Sequence, residues 1–363
     1  MVESMARIVA AISGGVDSAV ATARLVDAGH EVTAVHLLLA PEADERCAAA
    51  LSAREVAAAL DRPFEVWDMR DAFAARVLDD FAGQYAAGLT PNPCLMCNRT
   101  IKFGALLPRA LEAGFEGVAT GHYARVERHA SGHVELLRAV DSAKDQSYVL
   151  SMLDQATRRR LWLPLGGSTK DEVRAEASRR GLPVAGRAES MDLCFIPDGD
   201  TRAWLTARLG PQPGEIVDEA GAVLGRHDGT YRYTVGQRKG LDLRVPAADG
   251  EPRFVVGIDA AARRVVVGPR EHLAVAALRC EHAVWSSGGA PDGPVQLRVQ
   301  VRAHGDEHDA VVTAPDDGVI EVALPSPIIG VAPGQTAAFY DGDRVVGSGT
   351  ITATGAGAKP GVV

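Results

Sequence analysis

Residues 13–18 read Ser-Gly-Gly-Val-Asp-Ser and lie between a short apolar run and a segment with helical spacing. Adjacent glycines let a backbone turn its N–H groups toward an anion, and a helix that begins there adds a favourable dipole. Ser13 and Ser18 can donate hydroxyl hydrogen bonds, and Asp17 can hold a Mg²⁺ ion that bridges phosphates. Neither the Walker pattern nor G-x-G-x-x-G is present here. The residues indicate a phosphate-binding turn of another type; an ordinary strand–helix turn with a capping serine is the competing interpretation.

The cysteines are the second candidate for chemistry. Cys94 and Cys97 form a C-x₂-C in a proline-stiffened segment. No second C-x₂-C or H-x₃₋₅-H follows to complete a zinc site, and the context of a thioredoxin-like redox pair is missing. Cys194 stands between Leu and Phe, a setting typical of a buried structural cysteine. We assign that structural role to Cys47 and Cys280.

The elements that must position these residues follow a regular alternation up to residue 120. Short apolar runs predict strands, and segments of helical spacing separate them. Strands alternating with helices predict an α/β fold, namely a doubly wound parallel sheet with helices on both faces. The predicted strands are 7–12, 31–39, 63–69 and 117–120, and the predicted helices are 17–30, 45–60, 71–87 and 102–113.

The character of the chain changes near Pro197. A short helix is expected at 201–209, after which Gly and Pro separate short β runs, as in small barrels or sandwiches. A weaker break lies around 272–280. We therefore expect a catalytic domain over 1–197, a central β-rich domain over 198–272 and a C-terminal β-barrel over 273–363.

Composition limits the class of protein. The 363 residues carry a net charge of −9, which weakens a nucleic-acid interpretation but leaves room for a local basic groove. Five cysteines are too few for a disulfide scaffold. No apolar run approaches the ~20 residues that span a bilayer, and the N-terminal run does not resemble a signal peptide. We expect a cytoplasmic protein without a membrane partner.

Six sequence blocks carry a resemblance to known proteins. SGGVDS resembles the pyrophosphate loop of the ATP pyrophosphatase superfamily, whose members cleave ATP between the α- and β-phosphates and adenylate a carbonyl oxygen. The full set resembles the bacterial tRNA-specific 2-thiouridylases in order and spacing, and weaker similarity extends over the β region. The blocks are SGGVDS (13–18), TPNPCLMCNRTIKFG (90–104), ATGHYAR (119–125), KDQSYVL (144–150), ESMDLCFIP (189–197) and YTVGQRKGL (233–241).

The resemblance implies ATP-dependent 2-thiolation of the wobble uridine in the tRNAs for glutamine, glutamate and lysine. Adenylation of the uracil O2 makes that oxygen depart as part of AMP. Cys194 would carry a persulfide loaded by an upstream sulfur carrier or cysteine desulfurase. Cys97 would release or resolve that sulfur, leaving a Cys97–Cys194 disulfide that a cellular thiol reductant resets. ATP with Mg²⁺ is the implied cofactor, with Asp17 as a metal ligand, and no tightly bound metal is expected.

The resemblance also implies contacts for individual residues. The uridine must leave its stack to be reached, so residues around the base and along the RNA backbone are needed. Arginine runs at 158–160 and 179–180, and Lys239, are further candidates for phosphate contacts. The implied ATP-binding residues are Ala11, Ile12, Ser13, Gly14, Gly15, Val16, Asp17, Ser18, Leu37 and Gly121; Asn92, Pro93 and Cys94 would surround the target base, and His122, Lys144, Asp145, Gln146, Arg302, Ala303 and Gln335 would contact tRNA.

Cys94 departs from part of the family, where some members have an acid at this position. The departure puts in doubt any account in which this residue acts as a required general acid or base. One hypothesis is that Cys94 serves as a resolving thiol.

Two other functions stay open at this stage. One is another adenylating enzyme of the superfamily, such as an amidotransferase-type synthetase. It would need an ammonia source, and this chain begins Met-Val rather than with a nucleophilic Cys. The other is a non-catalytic RNA-binding module with a degenerate loop, which the intact SGGVDS residues oppose. The identity of the sulfur donor, the oligomeric state, and the choice between free hydrosulfide and direct persulfide attack are also open.

Overall fold

The computed structural model describes residues 5–187, 193–196, 198–243 and 250–355. Its first domain contains a five-stranded sheet in the order β3-β2-β1-β4-β7, in which every pairing is parallel, and a separate hairpin of β5 and β6. The strands are β1 (Arg7–Ala11), β2 (Glu31–Leu38), β3 (Phe64–Asp68), β4 (Gly117–Ala119), β5 (Arg125–Arg128), β6 (Val134–Leu137) and β7 (Leu161–Trp162).

Helices cover both faces of this sheet, as the alternation of strands and helices predicts. Two helical stretches contain π-helical segments, Ala74–Leu78 between α3 and α4, and Asn98–Leu106 between α5 and α6. The α-helices are α1 (Val16–Asp27), α2 (Ala48–Ala59), α3 (Arg70–Phe73), α4 (Asp79–Ala86), α5 (Pro93–Cys97), α6 (Leu107–Glu112), α7 (Ser147–Leu150), α8 (Gln155–Arg158) and α9 (Lys170–Arg179).

The core on each face follows from side-chain alternation in β1. Val9 packs into a cluster that includes Phe73 and Leu106, whereas its neighbour Ile8 packs on the opposite side with Leu25 of α1. All five side chains are at most 4% exposed. Successive residues of a strand point to opposite faces, so a strand buried on both sides must be apolar throughout.

Two β-rich units follow the parallel sheet. The first has α10 (Thr201–Leu209) and a four-stranded sheet in the order β10-β11-β8-β9. The second is a closed six-stranded barrel, because β12 pairs with both β15 and β17. The strands are β8 (Gly214–Asp218), β9 (Val223–His227), β10 (Phe254–Asp259), β11 (Arg264–Gly268), β12 (Ala274–Trp285), β13 (Val295–Gln300), β14 (Glu307–Thr313), β15 (Ile320–Ile329), β16 (Thr336–Asp341) and β17 (Arg344–Gly355).

The barrel is packed directly on the first domain. The β5–β6 hairpin leaves the parallel sheet and extends the barrel sheet, with Leu137 of β6 opposite Arg344 of β17. The Tyr148 hydroxyl of α7 donates a 2.8 Å hydrogen bond to the carbonyl of Thr336. Tyr340 and other barrel residues share the hydrophobic cluster of the first domain. Together these contacts fix the barrel beside the helices that follow β4.

The parallel sheet and the terminal barrel confirm the predicted fold class, but one local prediction is wrong. The helix predicted at 102–113 belongs to a helical stretch that begins at Pro93, because Asn92 caps it and proline is favourable at the first helical position. The predicted break at 272–280 contains the start of the twelve-residue strand β12 at Ala274, and the domain boundary there stays a prediction. The predicted boundary at Pro197 lies outside the described residues. Among the described helices, none is long and apolar enough to cross a bilayer.

Candidate active site

The glycine loop lies where the strand order reverses. The chain runs from the carboxyl end of β1 through residues 12–15 into α1, and β4, the other neighbour of β1, ends beside it. In open parallel sheets this switch point is the crevice where ligands bind. Gly14 has φ of +76°, and a Cβ there would lie 2.5 Å from the Ala49 carbonyl oxygen, so the turn requires glycine. The N-terminus of a twelve-residue helix therefore opens into the crevice, as a phosphate site requires.

Hydroxyl groups hold the loop in shape. The Ser18 Oγ accepts from the Ser13 N–H at 3.1 Å and donates to the Gly15 carbonyl at 3.1 Å, and it lies 3.2 Å from the Ser13 Oγ. Ser13 is exposed while Ser18 is buried. Ala11, Ile12 and Val16 belong to the hydrophobic clusters beneath the loop, and Leu37 packs half-buried at the end of β2.

Asp17 has partners that sequence reasoning missed. The Lys170 Nζ lies 2.7 Å from each carboxylate oxygen, and the Tyr123 hydroxyl donates to Oδ1 at 2.8 Å. Burial, followed by this hydrogen bond, raises the pKa of Tyr123, so it stays protonated and donates. Lys170 is only 8% exposed and opens α9, whose capping box by Thr169 and Glu172 was a readable helix start. The sequence contains no signal that this helix begins beside the loop.

The partners of Asp17 bear on its predicted role as a Mg²⁺ ligand. One carboxylate with nucleotide phosphates and water is a common donor set for Mg²⁺. Both oxygens already accept from Lys170, so a Mg²⁺ ion at Asp17 would share the carboxylate with this ammonium group. Within the described part of the chain, no three His, Cys, Asp or Glu side chains are placed to share a metal ion.

Residues 120–122 connect the loop to the rest of the site. A Cβ on Gly121 would lie 2.8 Å from the Ser18 N and 2.9 Å from the Asp17 carbonyl carbon, so this glycine packs against the loop itself. His122 is 7% exposed, and its ring nitrogens contact the Lys102 Nζ at 3.3 Å and the Thr120 Oγ1 at 2.7 Å. The predicted tRNA contact of His122 stays a prediction, but in this state the ring is engaged inside the protein.

The segment with Cys94 and Cys97 is a helix start. The Asn92 side chain accepts from the N–H groups of Cys94, at 3.0 Å, and Leu95, at 3.3 Å, and Pro93 occupies the first helical turn. Cys94 is exposed, whereas Cys97 is 8% exposed and ends α5 where the π-helical segment begins. The cap therefore sets the orientation of both thiols. It also engages the Oδ1 atom of Asn92, a residue that is predicted to contact the target base.

The fold brings the distant Cys194 to this segment. Phe195 packs on the cluster that contains Cys97 and makes edge contacts with Phe81 and Trp204. The thiols of Cys94, Cys97 and Cys194 are close enough to interact electrostatically. The fold therefore brings Cys194 into the neighbourhood of Cys97, and both are free thiols here; their pairing stays a prediction.

Burial sets the protonation of these thiols. It raises the pKa of Cys97 to about 11, with the positive charge of Lys102 acting in the opposite direction. The pKa of Cys194 is also raised, by desolvation and then by Cys94, although the residue is exposed. Both thiols are therefore protonated near neutral pH in this state.

Several side chains that are predicted to contact tRNA already make hydrogen bonds within the protein. Asp145 accepts from Arg138, Ala139 and Ser147, and Gln146 accepts from the Tyr123 N–H, so both side chains stabilise the fold. The Gln335 amide donates to the Thr90 carbonyl at 2.9 Å and joins the barrel to the approach of α5.

Arg302 is exposed, and Lys144 and Ala303 are half-buried. Ala303 lines a cleft of about 460 Å³ together with Arg138 and Ala143. One prediction is wrong: Arg158 is 0% exposed and cannot meet a phosphate in this state.

Comparisons with known proteins agree with this architecture. Residues 6–198 match a family model described as tRNA methyl transferase HUP domain, 202–269 match the tRNA methyl transferase PRC-barrel domain, and 275–351 match the aminomethyltransferase beta-barrel domain. The tRNA-specific 2-thiouridylase MnmA of Kineococcus radiotolerans is 55% identical over 361 residues, covering 96% of this chain and 99% of the relative. The protein of the same name from a Nocardioides strain is 52% identical over 362 residues, covering 96% and 98%.

A solved 4-thiouridine synthetase–RNA complex with bound ATP has 17% identity and a TM-score of 0.38, covering 53% of this chain and 46% of that one, a score that supports no conclusion. The order of the matched domains, and a sequence identity of 55% that extends over 96% of the chain, define a tRNA-modifying enzyme built on a HUP domain. Within that class, the chain belongs to the family of tRNA-specific 2-thiouridylases.

Proposed function

We propose that this protein is an ATP-dependent sulfurtransferase that makes 2-thiouridine at the wobble position of the tRNAs for glutamine, glutamate and lysine, in the cytoplasm. Family membership supports tRNA thiolation in general. One observation supports the proposal for this site in particular: the consecutive residues Gly121 and His122 connect the glycine loop with the region of the thiols. Gly121 packs on the glycine loop, and His122 contacts Lys102 beside the thiols.

The first half of the reaction activates the base. The loop N–H groups and the α1 dipole hold the ATP phosphates, and Lys170 adds a positive charge beside Asp17. The uracil O2 attacks the α-phosphorus, an O–P bond forms, and pyrophosphate leaves. Mg²⁺ held by the phosphates and Asp17 would neutralise charge on the departing pyrophosphate.

The second half transfers sulfur. A persulfide on Cys194, loaded by a sulfur carrier or cysteine desulfurase, supplies the sulfur atom. Either the Cys97 thiolate attacks the Cys194 sulfur and expels hydrosulfide, which attacks C2, or the terminal sulfur attacks C2 directly and Cys97 resolves the adduct. Both routes expel AMP and leave a Cys97–Cys194 disulfide, which a thiol reductant returns to two thiols.

The test is mass spectrometry of tRNA nucleosides after incubation with ATP, cysteine and a cysteine desulfurase. Wild-type protein should yield 2-thiouridine and pyrophosphate, each in an ATP- and tRNA-dependent manner. Cys97→Ser and Cys194→Ser should abolish thiolation yet retain pyrophosphate release, because adenylation does not use sulfur. Cys47→Ser is the matched control and should behave as wild type. Pyrophosphate release without tRNA thiolation by wild-type protein would favour another adenylating enzyme and refute the proposal.

Cys94→Ser distinguishes the roles open to the third thiol. Full thiolation by this variant would make Cys94 a bystander. Loss of multiple turnover with one turnover retained would make it a resolving thiol.

A further inference from the structure

Lys102 occupies a position beside the thiols to which the resemblance assigns no role. It lies in the π-helical segment Asn98–Leu106, five residues after Cys97. Backbone bonds in a π-helix join residues five apart, so Lys102 lies one turn from Cys97. Single π-helical turns occur frequently at functional sites. The side chain is half-buried and interacts electrostatically with both Cys97 and Cys194.

His122 determines where the ammonium group lies. Burial, and then the charge of Lys102, holds the pKa of His122 well below its usual range, so the ring is neutral. An ammonium group only donates, so Nε2 must accept from the Lys102 Nζ at 3.3 Å. The proton then resides on Nδ1, which donates to the Thr120 Oγ1 at 2.7 Å. This chain of hydrogen bonds fixes both the tautomer of the ring and the direction of the ammonium group.

We propose that Lys102 stabilises the negative charge that develops on the sulfur atoms of Cys97 and Cys194, and that His122 is the residue that positions it. The charged and titratable groups acting on Cys97 are Lys102, Cys194 and Cys94, and those acting on Cys194 are Cys94 and Lys102. Of these side chains, Lys102 alone favours a thiolate. A cation beside a thiol is the usual means of making it nucleophilic.

The role in sulfur transfer depends on the proposed function. Both routes above place negative charge on sulfur before or during S–S bond breakage. In that step the thiol proton leaves to solvent, and Lys102 contributes positive charge beside the sulfur atoms and does not act as a base. A neutral residue at this position should therefore slow the step even where the thiols are undisturbed.

The experiment measures thiol reactivity without ATP, tRNA or sulfur donor, so its outcome is independent of the proposed function. Iodoacetamide is added to reduced protein at pH 8 to 9.5, and mass spectrometry follows each cysteine separately. Exposed Cys194 is the main readout and Cys97 the second. Cys47 lies outside the cluster and is the internal reference, while fully buried Cys280 reacts only if the protein unfolds.

Lys102→Met should lower the alkylation rate of Cys194 and Cys97 roughly three- to tenfold relative to Cys47, which corresponds to a pKa rise of about half to one unit. Lys102→Arg should retain most of the rate because it keeps the charge. Arg99→Met removes an exposed cation from the same helical segment and should change neither rate. Unchanged rates in Lys102→Met, or equal losses in Lys102→Arg and Lys102→Met, would overturn the proposal.

A double variant tests the positioning role. His122→Asn should slow alkylation less than Lys102→Met, because the charge remains but is less well placed. Adding His122→Asn to Lys102→Met should not slow alkylation further, because the effects of two substitutions are not additive when one residue acts through the other. Additive losses would refute the assignment of His122. If Cys280 becomes reactive in Lys102→Met, Lys102→Gln replaces it under the same criteria.

Discussion

Removing the charge of Lys170 should both destabilise the protein and weaken its use of ATP. Its Nζ lies 2.7 Å from both oxygens of Asp17, and the pair is mostly buried, with side-chain exposures of 10% and 33%. At an effective dielectric constant of about 20, two charges at that distance attract by about 6 kcal/mol before desolvation is counted. Breaking a buried pair by removing one partner costs about 3–5 kcal/mol. Because Asp17 is one-third exposed and can regain water, we expect about 2 kcal/mol for Lys170→Met.

The effect on ATP follows from the same charges. Without Lys170, the Asp17 carboxylate is uncompensated at the helix N-terminus where phosphates bind. Repulsion across about 5 Å at the same dielectric constant amounts to about 3 kcal/mol per unit charge, so the KM for ATP should rise roughly a hundredfold. By the same arithmetic, Asp17→Asn should lower the KM for ATP, because the positive charge of Lys170 is then uncompensated beside the phosphates.

The assays are urea unfolding and tRNA-dependent pyrophosphate release, both on the full chain. The double variant Asp17→Asn/Lys170→Met should regain most of the lost stability, because neither charge is left alone. Arg174→Met removes an exposed cation from the same helix and is the control. Additive stability losses in the double variant, or a Lys170→Met protein with unchanged KM, would refute the reasoning.

Three further predictions concern the cap, the glycine contact and the buried thiol. Asn92→Ala should cost about 1 kcal/mol in urea unfolding by removing the cap of α5, whereas Asn92→Asp keeps it. Gly121→Ala should suppress pyrophosphate release more than stability, because its Cβ would press on the loop at Ser18; Gly167→Ala, in open space, is the control. The raised pKa of Cys97, about 11 against an ordinary 9, means that the folded state retains a proton which the unfolded state loses. Stability should therefore fall between pH 9 and 11 by about 2 kcal/mol more in wild-type protein than in Cys97→Ala, measured by urea unfolding.

Some of the site was readable because its signals are local. The alternation of strands and helices, and the Gly-Gly turn after the first strand, depend on residues a few positions apart. The start of α5 also has a readable signature, Asn92 followed by proline, whereas the predicted helix begins only at residue 102. The six blocks indicated which cysteines to examine, but not their surroundings.

The sequence by itself determined the parallel sheet, the phosphate-type turn and the identity of the reactive residue types, because local spacing and composition specify these. Only the tertiary structure decided that Lys170 neutralises Asp17, that His122 faces inward toward Lys102, and that Cys194 reaches Cys97 from 97 positions away. Charge compensation and burial depend on distances between residues far apart in the chain. Those distances exist only once the helices, the hairpin and the barrel have packed around one another.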